Sequence, residues 1–449
     1  MMLAIILFAY PILAALSALM LKSRRKLDFL VLLHALLHLG LGLHGFIKRG
    51  SLGAMDDMGL FIFLISSTLY MAVAFYRLGL GQDHNVKAYR VHTIFLMLFI
   101  AAMDAACMAK DLGLIWIFVE ATTITSAMLI SYEHTKSSLE AAWKYLFICS
   151  VGIALAFVGI LLLILAQPEN ATLLIHKISY PAISPFWLKI SFVFILVGFG
   201  TKIGLAPLHF WLPDAHSEAP APISALLSGA LLNTALLPLL RVERLMQRAG
   251  LGNTSQQLYL MMGFISVFIA TVFILKTKNY KRLLAYSSIE NMGLIMLAFG
   301  LGGFGIYAGY LHILGHSLVK AALFLTAGNI LSIYHDKHHA NIKGLFYRNR
   351  ATAWLWLLAL MMILGFPPSP LFTSKFFIIT GLIGKGYYLP VIALILLLAS
   401  IAWSMIRISL SMCSSEEGEK IRLPLWTYLS PALLLLIATV VGIWMPVFE

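Results

Sequence analysis

Six charged residues fall inside long apolar runs of this chain: Glu120, Lys144, Lys202, Glu290, Lys320 and Lys375. A lysine at the centre of a membrane-spanning helix costs roughly 2.5–3.5 kcal/mol on insertion scales, so a charge kept there points to a site. Their order is Glu–Lys–Lys and then Glu–Lys–Lys, the second triplet following the first by about 175 residues. The chemistry these types can do together is proton exchange. Burial weakens a lysine's hold on its proton, and a nearby carboxylate strengthens it. At an effective dielectric near 20 that attraction falls from about 4 to about 2 kcal/mol as the pair opens from about 4 to about 8 Å. A Glu–Lys pair that opens and closes could therefore load and release a proton. The plainer alternative is a set of fixed interhelical ion pairs. It would suffice for one residue, but six in a repeated order argue against it.

Other residues extend the pattern. The stretch Lys202 to Pro222, KIGLAPLHFWLPDAHSEAPAP, breaks an apolar run at Pro207 and carries His209 and His216. Non-helical backbone at membrane depth is tolerated only where protein buries it or water lines it. A second break is expected at Pro367, Pro368 and Pro370, just before Lys375. His312, His316 and Lys320 are spaced i, i+4, i+8, which puts them on one helix face as relay candidates. Metal binding by that His pair is the competing reading, with no third ligand evident nearby. His34 and His38 also share a face, where packing and hydrogen bonding are the expected roles. His335, His338 and His339 lie in a charged loop and are expected to be solvated. The string GLGGFG at Gly300 to Gly305 sits in a short turn without a preceding strand, which argues against dinucleotide binding.

The elements that must position these side chains follow from composition. Hydrophobic residues make up 61% of the chain and charged residues 11%, against about 25% charged in soluble proteins. The expected fold is an all-α polytopic membrane protein rather than a barrel of short alternating segments. Taking about 20 apolar residues per helix gives about 14 transmembrane helices. The Glu–Lys–Lys repetition divides them into helices 1–3 (residues 1–88), a first five-helix repeat (89–248), a second five-helix repeat (249–411) and a last helix (412–449). An odd number of spans per repeat makes the second copy inverted, and each copy contains a broken helix, an architecture of transporters. Lys and Arg in the loops divide about two to one between the two sides. The basic side, with Lys22, Arg24, Arg25 and Lys26, is expected to be cytoplasmic and both termini outside. The poorer side holds Lys48, Arg49, Lys110 and Arg241 among others. The net charge of +13 is then accounted for by loops, not by nucleic acid. Cys107, Cys149 and Cys413 are far apart and form no CxxC, which argues against an iron–sulfur cluster, a structural zinc or a disulfide framework.

At these residues the chain resembles the antiporter-like subunits of respiratory complex I, membrane-bound hydrogenases and multisubunit sodium/proton antiporters. The segments that carry the resemblance are VEATTITSAMLI around Glu120, AAWKYLF around Lys144, KIGLAPLHFWLPDAHSEAPAPISALL, KRLLAYSSIENMG, HILGHSLVKAALFLTAG and GFPPSPLFTSKF around Lys375. The wording AYSSIENMG and LLSGALLNTALLPLLR is most similar to the F-type branch of the hydrogenase-4 membrane subunits. The resemblance implies that Glu120 pairs with Lys202, that Lys375 lies toward an exit path, and that His312, His316 and Lys320 belong to a mid-membrane axis. Where some relatives carry a lysine or histidine in the eighth helix, this chain offers Ser228 and Asn233, and Asn233 can orient water but cannot store a proton. The implied function is proton translocation within a prokaryotic inner-membrane redox complex. Catalytic residues, cofactor and metal are expected to be absent from this chain and electron transfer to fall to other membrane and peripheral subunits. The alternatives are a Na+/H+ antiporter subunit, in which Na+ moves as well, and the membrane half of a proton-driven inorganic-carbon uptake system.

Overall fold

The computed structural model describes residues 2–48, 55–80, 85–167, 171–178, 183–415 and 419–444, so Arg49 of the charge pattern lies outside the described residues. Every regular element among them is helical. The α-helices are α1 Met2–Met20, α2 Arg24–Ile47, α3 Asp57–Leu78, α4 Val86–Met108, α5 Leu112–Ile130, α6 Lys136–Leu165, α7 Pro185–Ile203, α8 Trp211–Glu218 and α9 Ala221–Leu226. They continue with α10 Leu232–Arg248, α11 Gly252–Lys276, α12 Tyr280–Leu301, α13 Phe304–Tyr334, α14 Leu345–Arg348, α15 Arg350–Leu364, α16 Pro370–Gly384, α17 Tyr388–Cys413 and α18 Leu425–Trp444. Among the described residues twelve helices are long and apolar enough to cross a membrane, with the continuous segment Ala221–Arg248 counted once. Within it a π turn at Leu227–Leu231 joins α9 to α10.

Short polar residues start the helices. Asp111 accepts from the Gly113 and Leu114 amides ahead of α5, and Asn279 accepts from those of Lys281 and Arg282 ahead of α12. Each cap satisfies amides that the first turn cannot. Glycine in the left-handed region ends the two helices that stop short. Gly204 (φ 82°) closes α7, and Gly365 (φ 93°) closes α15. Pro370 then opens α16 at a position where its missing N–H costs nothing. The expected breaks at Pro207 and at Pro367–Pro370 are thus both present, each between a glycine cap and a new helix start.

The chain forms two compact units. One comprises Met1–Ala74, Gly81–Gly204 and Ala230–Ser255; the other comprises Phe75–Leu80, Leu205–Gly229 and Gln256–Glu449. Inside the first, α6 and α7 approach so closely that a Cβ on Gly198 would lie 2.4 Å from the Ala156 amide nitrogen. Inside the second, a Cβ on Gly263 of α11 would lie 2.7 Å from the Gly293 carbonyl of α12. Small residues at such crossings are how membrane helices gain contact where no hydrophobic force favours one neighbour over lipid. The segment Ala221–Arg248 is wholly buried and α12 nearly so, while α2 and α17 are mostly exposed. The polar side chains follow the buried helices.

Candidate proton-handling site

In the first unit the cluster is built from α5, α6 and α7. Lys202 occupies the last turn of α7, where helix carbonyls lack amide partners and favour a cation. It is fully buried. Its Nζ donates to Thr123 Oγ1 at 2.7 Å and to the Tyr145 hydroxyl at 2.6 Å, and it stands 4.7 Å from the Tyr145 ring centroid. Thr123 in turn donates to Glu120 Oε2 at 3.1 Å. Ser150 donates to Glu120 Oε1 at 2.7 Å. Glu120 and Lys202 are therefore linked through one hydroxyl rather than by a direct ion pair. A hydroxyl can accept from one neighbour and donate to the other, which is the requirement for passing a proton between them.

The second unit holds a longer chain of bonds. Lys375, near the start of α16, lies 3.2 Å from Glu290 Oε1. It also donates to the Ile363 carbonyl at 3.1 Å and the Leu364 carbonyl at 3.4 Å. Those carbonyls belong to the end of α15, so the break itself supplies acceptors for the lysine. Glu290 Oε2 accepts from Asn291 Nδ2 at 3.2 Å. His312 stands between Asn291 Oδ1 at 3.0 Å and Ser374 Oγ at 2.8 Å. Because Asn291 spends its amide hydrogens on Glu290 and on the Ser287 carbonyl, its oxygen accepts from His312 Nε2. The order Lys375–Glu290–Asn291–His312–Ser374 is continuous at hydrogen-bond distance.

Further along α13, Lys320 donates to the Leu284 carbonyl of α12, with its Nζ 6.0 Å from the Phe324 ring centroid. His216 of α8 stacks on the other partner of that contact, the Phe324 ring, at 4.9 Å. No described residue hydrogen-bonds either ring nitrogen of His216. Lys281 at the start of α12 donates to the Ser217 and Ala219 carbonyls at 3.0 and 2.8 Å, tying down the end of α8. Ser228 of the π turn meets Ser288 of α12 at 2.9 Å.

The other sequence candidates divide. His316 is fully buried on the same α13 face as His312 and Lys320. Asn233 is fully buried on α10. His209 lies in the break after α7, its Nδ1 3.2 Å from the Pro207 carbonyl and its ring against Phe210. Lys144 is not gathered into the cluster. Its side chain is half exposed and pairs with the equally exposed Glu140 at 2.7 Å. The buried face of α6 runs through Ala141, Tyr145, Cys149 and Gly152, and Lys144 is one residue, about 100°, off that face. Three residues that carry the first cluster escaped the sequence reading: Thr123, Tyr145 and Ser150. A hydroxyl in a transmembrane helix ordinarily bonds its own backbone, so only the fold singles these out. Among the described residues no trio of His, Cys, Asp or Glu gathers as ligands for a metal ion.

Outside the spans, Asp56 ahead of α3 receives Arg241 Nη2 at 2.7 Å and Nε at 3.2 Å. Burial works to raise the Asp56 pKa, but the bonds and charge of Arg241 outweigh it, and the carboxyl lies below its usual range.

Comparison with known proteins agrees with this geometry. The model of the family described as NADH:quinone oxidoreductase/Mrp antiporter, TM, matches residues 109–402, a range that contains both breaks and all six charged positions. A hydrogenase-4 component F homolog of Methylacidiphilum infernorum (isolate V4) is 34% identical over 380 residues, covering 80% of this chain and 79% of that protein. Among solved structures, a chain of the archaeal membrane-bound sulfane sulfur reductase superposes with a TM-score of 0.89 at 23% identity, covering 99% of this chain and 94% of that one. A chain of the Mrp complex from Dietzia sp. DQ12-45-1b gives 0.88 at 17% identity, over 99% and 95%. These two likenesses show the fold. With the family model spanning well over half of its length, the chain belongs to the NADH:quinone oxidoreductase/Mrp antiporter transmembrane family.

Proposed function

We propose that this chain is the proton-moving membrane subunit of an energy-converting redox complex of the hydrogenase-4 type. The observation that carries it is the fully buried Lys202 at the end of a broken helix, joined to Glu120 through a single hydroxyl. Lys375, Glu290, Asn291 and His312 give the second unit a bonded path of the same kind. His316, Lys320 and His216 extend the titratable surface along α13, and Asn233 and His209 are the places where water has to complete the route. Oxidation and reduction belong to partner subunits in this reading, and the lipid bilayer is its solvent. Fourteen crossings result if α1 and the α15–α16 pair each cross once. The domains are then the two five-helix repeats at 89–248 and 249–411 with their flanking helices. Loop charge supports a prokaryotic inner-membrane orientation with both termini outside.

Likeness to an Mrp complex chain supports a second reading, a Na+/H+ antiporter subunit. Lys202→Ala in the assembled complex, reconstituted in liposomes, tests the first. Proton movement should be abolished while the complex still assembles. Pumping at the wild-type rate would make Lys202 a structural charge and remove the proposal. Sodium-dependent proton exchange without any redox substrate would favour the antiporter instead.

A further inference from the structure

The first four helices bury a polar cluster that neither broken helix uses. His38 of α2 lies 2.9 and 3.0 Å from the two carboxylate oxygens of Asp104 on α4, through its Nε2. Its Nδ1 lies 2.6 Å from Ser67 Oγ on α3. His38 is fully buried and Asp104 is 1% exposed. Around them stand Tyr10 of α1, stacked on His34 at 4.7 Å, and Tyr70 of α3, whose hydroxyl is 3.0 Å from His34 Nδ1. Phe63 stacks on the His38 ring at 4.4 Å. No described residue hydrogen-bonds His34 Nε2 or the Tyr10 hydroxyl, although both are buried.

The hydrogen bonds fix where the protons are. Ser67 Oγ is 2.7 Å from the Phe63 carbonyl, which can only accept, so the serine hydrogen points there. Its lone pair then receives a hydrogen from His38 Nδ1. With Nδ1 protonated, the contact between Nε2 and Asp104 is a hydrogen bond only if one further proton lies in it. Either imidazolium donates to carboxylate, or protonated Asp104 donates to neutral imidazole. In both cases the pair is electrically neutral and holds one proton that it can give up, leaving carboxylate beside neutral imidazole. A helix-packing contact does not need a titratable pair at this depth, where each such group is costly.

The same four helices also carry a way in. Asp28, on the buried face of α2, is bonded by the Tyr89 hydroxyl and by Arg24 at 3.5 Å near the start of that helix. His34 and His38 follow on the buried face, their ring centroids 6.2 Å apart. At 1.5 Å per residue His38 lies roughly 21 Å from the helix start, deep in the hydrocarbon layer. We infer that Asp104 and His38 form a third proton-holding site of this chain, with Ser67 fixing the ring and Tyr10, His34 and Tyr70 lining the approach from the Arg24 end of α2. The inference rests on the reading that the chain moves protons.

The test uses the whole complex in liposomes. Asp104→Asn combined with His38→Gln keeps a hydrogen-bonded pair of similar shape that cannot titrate. Proton movement should fall by about 100-fold, the lower range of what a positioned proton donor contributes. The pH-difference infrared spectrum should lose one carboxyl signal. Wild-type pumping with an unchanged infrared spectrum overturns the inference. If the double variant does not assemble, Ser67→Ala carries the test, since it keeps both titrating groups but releases the ring. A shifted pH profile for pumping is then expected, and an unshifted one overturns the site. Lys202→Ala separates the two readings: wild-type pumping in that variant sinks the wider proposal, whereas wild-type pumping confined to the Asp104/His38 variant sinks this one alone.

Discussion

Glu120 reaches Lys202 through Thr123, whose hydroxyl accepts from Nζ at 2.7 Å and donates to the carboxylate at 3.1 Å. Thr123→Val keeps the shape and removes both bonds. Hydrogen bonds to charged groups contribute about 1.5–3 kcal/mol, so proton movement should slow roughly tenfold or more. Thr123→Ser should restore it, and a valine variant that pumps normally would mean the two charges communicate by another route. A second residue gives a pH signature outside the membrane. Asp336, in the loop after α13, accepts from the His338 amide at 2.8 Å and from Asn341 Nδ2 at 2.6 Å. Chiefly the His338 amide, and after it Asn341, pull its pKa from the usual 3.8 down to about 2. A depressed carboxylate supports the folded loop above about pH 3.8, and that support is lost as the pH falls through about 2. Amide exchange at His338 should therefore stay slow at pH 5 and quicken below about pH 3, and Asp336→Asn should flatten the dependence. A flat profile in the wild type would remove the carboxylate from the loop's stability.

At the scale of the element, the breaks and the close crossings do the positioning. Gly204 and Gly365 end α7 and α15 in a conformation that costs other residues roughly 1–2 kcal/mol, and each ending leaves carbonyls beside a lysine. The α6–α7 crossing holds Tyr145 and Ser150 against Lys202, and Gly198 sets its distance. A Cβ there would meet the Ala156 backbone at 2.4 Å, so Gly198→Ala must push the helices apart. Overpacking of this kind costs about 1–3 kcal/mol. Melting temperature and proton movement should fall together, whereas Gly40→Ala, where a Cβ meets nothing within 4 Å, should change neither. Equal melting of the two variants would mean that the crossing can relax. Much of this framework was legible in the sequence, because apolar runs, prolines and isolated charges are local signals. The facing of each helix was not. α6 is apolar nearly all round, so nothing in its pattern told Lys144 from Tyr145, one residue on, and only packing turned Tyr145 inward. Asp104 was passed over for a related reason. A single aspartate in MLFIAAMDAACM gives no hint that His38 and Ser67 face it from two other helices.

For the whole molecule the question that bears on function is which membrane face each loop occupies, and the α15–α16 pair decides it. Each of these helices has 15 residues, about 22 Å of rise, too short for a hydrocarbon layer of about 30 Å. Together they are long enough to cross once. A pair that turned back instead would return the chain to the side it left and reverse every later assignment. The charges support crossing: the loop before α15 carries Lys337, Lys343, Arg348 and Arg350, while the turn after α16 carries Lys385. Cationic loops stay on the cytoplasmic side. Ala340 and Lys385 are both exposed and lie on either side of the pair. Cysteine at Ala340 should react with an impermeant thiol reagent only in inside-out vesicles, and cysteine at Lys385 only in right-side-out ones. The native cysteines Cys107, Cys149 and Cys413 are buried and should contribute little background. Labelling of both positions from one side would make the pair re-entrant. Lys375 would then sit in a loop open to a single aqueous phase and could exchange protons only with the side it came from, which is incompatible with transport across the membrane through this unit.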